Sequence, residues 1–301
     1  MTASMVVPIK VNDAVLTASN IPEDDYPVWV NGATYTLGAR AIRTVTHSVY
    51  ERVVAGVSSE APENDPDSWV RVGATNRWRP FDGSLGQVAS NSSSITYTLT
   101  SPVMADAVAF VNLAAVSVQV VVKDASSIVK YDQTRELIDT SAISSWLDYF
   151  TYETQYEPEQ VFIGLPIFSS YTVEITLDGE GGDASVGEIV FGRAVILGKI
   201  LDGSRSGFND YTSRNIDQFG NIELTVRPTA RKAEWRFAFD TRSNRRIQRE
   251  LEKARGIKCF FYPGEDMTEF YLSVFGIAEE FYPSLSAGGT TIDTLSLVGA
   301  A

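Results

Sequence analysis

The chain has 301 residues and a net charge of −13, with one histidine and one cysteine. Its length allows two or three domains with buried cores, and its acidity argues against nucleic-acid binding. One cysteine cannot form an internal disulfide or a cysteine-based zinc site, and one histidine excludes multi-histidine metal sites, so we expect no metal and no cofactor. Catalysis of the Ser-His-Asp or Cys-His type would require His47 itself.

Neither the N-terminus nor the longest apolar run predicts export or membrane insertion. Residues 1–14 lack a positively charged start followed by an apolar stretch, so we expect no signal peptide. The apolar run 107–122 is interrupted by Asn112, Ser117 and Gln119, which predicts two strands instead of a membrane helix. We therefore expect synthesis in the cytoplasm and no membrane partner.

The front of the chain predicts short strands separated by turns. Residues 1–20 predict an arm or an edge strand. Asn31-Gly32 predicts the tight turn of a hairpin, because both positions of such a turn favour residues that tolerate a positive φ. Residues 41–54 predict one strand with His47 on one face, where packing or a surface position is favoured over catalysis.

The composition changes between residues 60 and 83. The prolines and acids of residues 60–68 predict a loop, and Trp69 opens the next strand. We interpret Gly73–Gly83 as the joint between a small front module and a β-sandwich. We expect one of its two rings, Trp78 or Phe81, to fill a core and the other to bridge to the neighbouring module; contact with a ligand is the alternative.

Aromatic and turn residues of the front module have the spacing of a known family. The shared positions are Trp29, Tyr35, Gly38, Tyr50, Glu51, Pro66 and Trp69. This spacing resembles the small chitin-binding-type carbohydrate modules that accompany chitinases, and the resemblance implies that exposed rings stack on sugars. The alternative is that a small module without disulfides needs the same rings as its core.

From Ser84 onward, alternating apolar and polar residues predict antiparallel strands. The clearest stretches are residues 95–100, 116–121, 171–177 and 188–197. The acidic, glycine-rich Asp178–Asp183 predicts a flexible turn between the last two strands, with calcium binding as the alternative to a plain hairpin. Many short strands with turns between them predict a sandwich or jelly roll.

The β pattern is interrupted near residues 143–150, which predict a short helix. The polar and aromatic residues 151–159 then predict a long surface loop, the kind of segment that carries ligand sites. Tyr149, Tyr152 and Tyr156 are therefore further candidates for ligand contact.

The last third predicts a small sheet with one amphipathic helix. Residues 201–220 predict a polar, loop-rich run, and residues 243–255 predict the helix, with Gly256 placed to end it. Cys259 lies in an aromatic strand, which predicts a buried, unreactive thiol. The remaining predicted strands are residues 222–226, 234–239, 258–263, 270–277 and 291–298.

Charge is unevenly distributed along the chain. Residues 193–258 carry 15 basic and 8 acidic residues, whereas the remainder carries 10 basic and 30 acidic residues. A solvated face of mixed charge would explain this pattern. The sharper hypothesis is a dipolar molecule whose basic end docks on an acidic neighbour.

We therefore predict a mostly β protein in three parts. These are a small aromatic-rich β module (1–74), a β-sandwich or jelly roll (75–198) and a C-terminal α+β attachment domain with one amphipathic helix (199–301). The predicted carbohydrate-binding residues are Trp29, Tyr35, Tyr50, Trp69, Trp78 and Tyr152. We predict no catalytic and no metal-binding residue.

Two further stretches resemble a family of bacteriophage tail or virion proteins. Thr75–Gly83 is similar to the TNRW-x-x-FDG stretch of that group. Gly192–Gly198 is followed by Asp217–Asn221, where the family reads close to DEFGN and this chain has Gln218. The resemblance implies assembly into a virion with other tail proteins, in symmetric homo-oligomers, and contact with host-surface polysaccharide; it does not imply catalysis.

The favoured hypothesis is a non-enzymatic structural component of a bacteriophage tail, in the tip, baseplate or fibre region, that binds host glycans. An alternative is a purely architectural tail, neck or decoration protein without a ligand. The least favoured is a depolymerase of surface glycan. That chemistry needs two carboxylates, one with a raised pKa, and none of the 38 acids stands out as a pair in the sequence.

Overall fold

The computed structural model describes residues 1–100, 104–139, 144–152, 155–216, 219–264, 270–282, 284 and 288–300. Parts of three sequence predictions lie outside the described residues. They are the start of the predicted helix at Ile143, residues 153–154 of the predicted loop, and Asp217-Gln218 of the second tail-protein motif.

Strands dominate the structure and helices are few, which confirms the mostly β prediction. The front of the chain forms β1 Thr2–Pro8, β2 Leu16–Ser19, β3 Thr34–Tyr35, β4 Arg40–Arg43, β5 Ser48–Arg52, β6 Gly56–Val57 and β7 Trp69–Ala74. The middle forms β8 Ala89–Thr100, β9 Ala107–Ala114, β10 Ser117–Asp124, β11 Val129–Glu136, β12 Ile138–Asp139, α1 Trp146–Thr151, β13 Gln155–Tyr156, β14 Glu159–Ile163 and β15 Tyr171–Ile200. The last part forms β16 Arg205–Asp210, β17 Ser213–Ile216, β18 Ile222–Thr225, β19 Thr229–Asp240, α2 Asn244–Lys253, β20 Cys259–Tyr262, β21 Val274–Phe281 and β22 Thr290–Gly299.

One strand, β15, runs through most of the main sheet. Its 30 residues pair with β10 and β8, then with β9, and finally with β1 and β19. The sequence predicted two strands separated by a turn at Asp178–Asp183, and this prediction is wrong. The chain instead passes through a wide bulge, in which Asp178 pairs with Ser94 and Asp183 pairs with Ser92 of β8. Glu180 and Gly181 adopt positive φ inside the bulge, a conformation that glycine makes accessible.

The main sheet folds over one large apolar core. Alternate residues of β8, β10 and the first half of β15 are buried in the same cluster as residues of β9 and β14. Tyr97, Phe110, Phe162 and Tyr171 are among its largest fully buried side chains. This burial follows the period-2 alternation of the sequence, because one face of each strand lies against the core.

Strand β9 joins this core to the C-terminal part, because both of its faces are buried. Phe110 enters the main core, while Ala109 enters a second cluster together with Phe260 of β20 and Phe275 of β21. A polar contact reinforces this junction. Glu159 of β14 is buried and pairs with Arg231 of β19 at 2.7 Å between Oε1 and Nη1.

The C-terminal part is a sheet with one covering helix. α2 buries Ile247 and Leu251 in a cluster with Trp235 and Phe237 of β19, which confirms the predicted amphipathic helix. Gly256 follows the helix with φ of +74°. β1 pairs with both β15 and β20, so the N-terminal residues lie inside the sheet and do not form the predicted edge strand.

The front module consists of two small sheets, β3–β6 and β4–β5–β7. Asn31 and Gly32 form a turn as predicted, but β3 pairs with β6 and not with the residues before the turn. The single strand predicted for residues 41–54 is a hairpin of β4 and β5. Its turn at residues 44–47 places His47 at φ of 49°, so His47 does not lie on a strand face.

Candidate functional site

Four of the six predicted carbohydrate-binding residues form the core of the front module. Tyr50 and Trp69 are buried, and Trp29 and Tyr35 pack against them with part of their surface exposed. The rings of Tyr35 and Trp69 meet edge to face, with 4.9 Å between their centroids. A module this small has few aliphatic residues to bury, so aromatic rings supply most of its buried surface.

Polar side chains hold these rings in place. Ser58 Oγ accepts hydrogen bonds from Nε1 of Trp29 at 2.9 Å and from Nε1 of Trp69 at 3.1 Å. The guanidinium of Arg43 lies 4.9 Å from the Trp29 ring centroid, and that of Arg52 lies 5.1 Å from the Trp69 ring centroid. A cation therefore already lies against the Trp29 ring, which reduces the ring surface open to a sugar.

Trp78 lies in the joint between the front module and the main core. It is 7% exposed, and its ring stacks on the imidazole of His47 at 3.9 Å. His47 lies between two carboxylates, with Nδ1 3.1 Å from Glu23 and Nε2 3.1 Å from Asp13. Phe81 meets Trp78 and a tyrosine of β8 edge to face. These contacts agree with the predicted bridging role of the joint.

Tyr152 lies beside an exposed aromatic helix. Its hydroxyl donates a hydrogen bond to the backbone carbonyl of Asp139, and its ring is half-buried. On α1 itself, Tyr149 is 61% exposed, and Trp146 and Phe150 are more exposed still. The sequence singled out the tyrosines but not Trp146 or Phe150, because residue type alone does not indicate which rings a six-residue helix exposes.

A second exposed apolar surface is the ribbon of β17 and β18. β17 lies in the run 201–220 that was predicted as loop, whereas β18 lies in the predicted strand 222–226. Every residue of the two strands is exposed. The cross-strand pairs Arg214–Leu224 and Ile216–Ile222 lie on one face of this ribbon, because residues two apart in a strand share a face. A two-stranded ribbon is marginally stable alone in water, so a neighbouring surface would stabilise it.

A cleft of about 460 Å³ opens where the three parts of the chain meet. It lies between the residues that follow β1, the end of the joint, the middle of β15 and the residues that follow α2. Ile9, Phe81, Ile257 and Phe275 form apolar parts of its wall. Its polar side chains are Lys10, Asp82, Glu188 and Lys258.

Glu188 and Gly83 connect two sides of this cleft. Glu188 belongs to β15, is 6% exposed, and accepts a hydrogen bond from the backbone N–H of Gly83 at 3.0 Å. Lys258 Nζ donates a hydrogen bond to the carbonyl of the same glycine. Asp82 lies at the cleft, partly enclosed and with some of its surface open to solvent, and accepts a hydrogen bond from the N–H of Ser84 at 2.7 Å.

The environment raises the pKa of both carboxyl groups. Burial, together with the nearby charge of Asp82, raises the pKa of Glu188 to about 9, against the opposing effects of the Gly83 N–H and Lys258. Burial also raises the pKa of Asp82, although the N–H of Ser84 opposes it. At neutral pH Glu188 therefore carries a proton and can donate a hydrogen bond. This pair was not predicted from the sequence, because Asp82 and Glu188 are far apart in the chain.

The other groups considered from the sequence form no site. Asp178–Asp183 is the bulge in β15, and within the described ranges no group of three or more His, Cys, Asp or Glu side chains is arranged to hold a metal ion. Cys259 is buried as predicted, and burial raises the pKa of its thiol to about 12, which disfavours reaction. No helix in the described part of the chain is long and apolar enough to cross a bilayer.

Comparison of the chain with protein-family models, with curated proteins and with solved structures finds no match in any of the three.

Proposed function

We propose that the chain is a non-enzymatic structural component of a bacteriophage tail, in its tip, baseplate or fibre region, and that it contacts host-surface glycan. The motif at Thr75–Gly83 and the second motif near Gly192–Gly198 motivate the assignment to a tail. The observation that best supports a structural role is the exposed apolar face of the ribbon. Exposed apolar surface of this kind is typical of protein–protein contacts.

The partner we assign to the ribbon is a second copy of the chain. The ribbon belongs to the basic segment 193–258, whereas α1 lies in the acidic remainder and carries Asp148 and no basic residue. We place the ribbon of one copy against α1 of the next, so that apolar residues meet aromatic ones and positive charge meets negative charge. Such a head-to-tail contact closes into a ring when the rotation permits, as tail symmetry requires.

Paired substitutions test this contact. Ile216→Ser with Leu224→Ser removes the apolar face of the ribbon, and Trp146→Ser with Phe150→Ser removes the aromatic face of α1. We expect each pair to weaken self-association at least tenfold in sedimentation experiments over a range of concentrations. Val45→Ser is the matched control, because Val45 is 75% exposed in the front module. A chain that stays monomeric at every concentration, or associates equally well in all variants, would contradict the proposal.

For the glycan contact, the front module offers the partly exposed Trp29 and Tyr35, and Tyr152 lies near α1. Tyr50, Trp69 and Trp78 are buried, so they support the neighbouring rings in this proposal. A glycan array with the wild-type chain and with Trp29→Ala tests it. Absence of binding to any polysaccharide, with self-association intact, would leave a purely architectural tail protein.

One observation favours a second candidate function, hydrolysis of surface glycan. Asp82 and Glu188 line one cleft, and the pKa of Glu188 is raised to about 9, as a general acid requires. Release of reducing ends from host polysaccharide, abolished by Glu188→Gln and retained by Glu180→Gln on the same strand, would establish this activity and overturn the non-enzymatic proposal.

A further inference from the structure

The cleft beside Glu188 has the size and the position of a small-molecule site. Its volume of about 460 Å³ falls within the range of roughly 300–1,000 Å³ that is typical of ligand pockets. It lies where the residues that follow β1, the Phe81–Gly83 turn, β15 and the residues that follow α2 converge. Apolar residues form much of its wall, and a few polar side chains converge in it.

The buried carboxyl in the cleft is unfavourable for stability, which indicates a functional role for the cleft. A carboxyl buried on β15 costs free energy that an apolar residue would not. Gly83 adopts φ of +72° and bonds to both Glu188 and Lys258, so the turn Asp82-Gly83 is fixed on two sides. This turn is also the end of the stretch Thr75–Gly83.

The charges in the cleft favour a neutral ligand. Glu188 is protonated at neutral pH, and Asp82 and Lys258, the two groups at the Gly83 turn beside it, have opposite charges. Lys10 adds one further exposed cation at the wall. An anionic ligand would meet Asp82, and a cationic ligand would meet two lysines. A ligand with hydroxyl groups can use the same side chains as both donors and acceptors.

We propose that the cleft binds one neutral pyranose unit of a glycan. The protonated carboxyl of Glu188 and the ammonium of Lys258 donate hydrogen bonds to its hydroxyl oxygens, and Asp82 accepts from its hydroxyl groups. Phe81 and Ile257 contact the C–H face of the ring. This inference rests on the glycan binding proposed above, and it adds the cleft as a contact site beside the front module.

Binding of neutral monosaccharides to the full chain tests the proposal. The probes are glucose, galactose, mannose, rhamnose and N-acetylglucosamine, with glucuronic acid and glucosamine as charged comparisons. Saturation-transfer NMR and calorimetry should show binding of at least one neutral sugar, tighter than either charged one. Ile257→Trp, which fills the cleft at a partly exposed position, should abolish it, and Asp82→Asn should weaken it about tenfold. Asp67→Asn is the matched control, because Asp67 is exposed in the front module.

The outcomes separate this inference from the proposed function. Binding of polysaccharide that Trp29→Ala removes and Ile257→Trp does not would overturn the cleft site and leave the glycan proposal standing. Binding of no neutral sugar by the chain, with no polysaccharide bound on an array, would overturn both. Circular dichroism of Ile257→Trp and of Asp82→Asn confirms that each variant is folded, so that a loss of binding counts in favour of the cleft.

Discussion

The front module and the main core use aromatic and charged residues in opposite ways. In the front module the buried cluster is Ala41, Tyr50 and Trp69, and arginines and Ser58 serve to hold its rings. The main core is far larger and almost wholly apolar, and at its border β15 buries Glu188 beside a second acid. A small module needs its rings for stability, whereas a large core tolerates an unfavourable carboxyl.

The largest effect on stability is expected when a buried ring is removed from the front module. Trp69→Ala should destabilise the protein by about 4 kcal/mol, because it removes the largest buried side chain of that cluster. Denaturant unfolding gives the change, and hydrogen exchange should locate it in residues 27–74. Trp146→Ala is the control, since Trp146 is 79% exposed. Equal losses for the two tryptophans would contradict a structural role for Trp69.

Glu159 is a second buried carboxyl, and it differs from Glu188 because it forms an ion pair with Arg231. Arg231→Ala leaves Glu159 buried without its ion pair and should cost about 3 kcal/mol in denaturant unfolding. Adding Glu159→Gln to this variant should restore much of the loss, because the uncompensated charge is gone. If the double variant were less stable than Arg231→Ala alone, the cost would come from something other than the buried charge.

The pKa of Glu188 predicts a pH dependence with a definite sign. Its folded-state pKa of about 9 lies above the ordinary value of 4.5, so the folded protein holds a proton that the unfolded chain releases between these pH values. The stability contribution of Glu188 is complete below about pH 4.5 and decreases as the pH rises towards 9.

Glu188→Gln should remove this dependence. We expect its stability relative to wild type to rise by about 2 kcal/mol between about pH 5 and pH 6.5, measured by denaturant unfolding at each pH. Glu180→Gln, at an exposed position of the same strand, should leave the pH profile unchanged. Parallel profiles for wild type and Glu188→Gln would show that Glu188 is ionised in the folded protein.

The smallest effect on the isolated chain is expected at the ribbon. Ile216→Ser should change the free energy of unfolding by less than about 0.5 kcal/mol, because Ile216 is 70% exposed in the single chain. Ile247→Ser, on the buried face of α2, should be far more damaging. A large loss for Ile216→Ser at a concentration where the chain is monomeric would mean that the ribbon packs on its own chain.

The periodicity of apolar residues correctly predicted the strands and the helix that bury one face along their length. Alternation around Ile95–Leu99 and Tyr171–Leu177 placed β8 and the first half of β15, and the 3.6-residue period placed α2. The continuity of β15 was missed, because Asp178–Asp183 has the composition of a turn, and only the pairing of its two ends with Ser94 and Ser92 of β8 keeps the strand continuous. The hairpin at His47 was missed for a related reason, since its turn contains no glycine.

Residue type predicted the candidate site less well than it predicted the fold. Trp69 and Trp146 are the same residue, yet one is 2% exposed and the other is 79% exposed, and this difference depends on distant segments. Glu188 lies in a strand with the usual alternation of apolar and polar residues. Asp82 lies near it only because the joint Gly73–Gly83 folds against β15. Phe81, Asp82 and Gly83 line the cleft, but from the sequence they were interpreted only as the end of a joint between two modules.

The length of β15 limits how this polypeptide can be divided. Gly192–Lys199 pairs with the N-terminal residues Thr2–Pro8, and Lys199-Ile200 pairs with β19. A fragment that stops at residue 198 and begins after residue 8 would lose its neighbours along this stretch and present a bare strand edge, which promotes aggregation. Truncation experiments on binding or assembly should therefore keep the first eight residues together with both halves of β15.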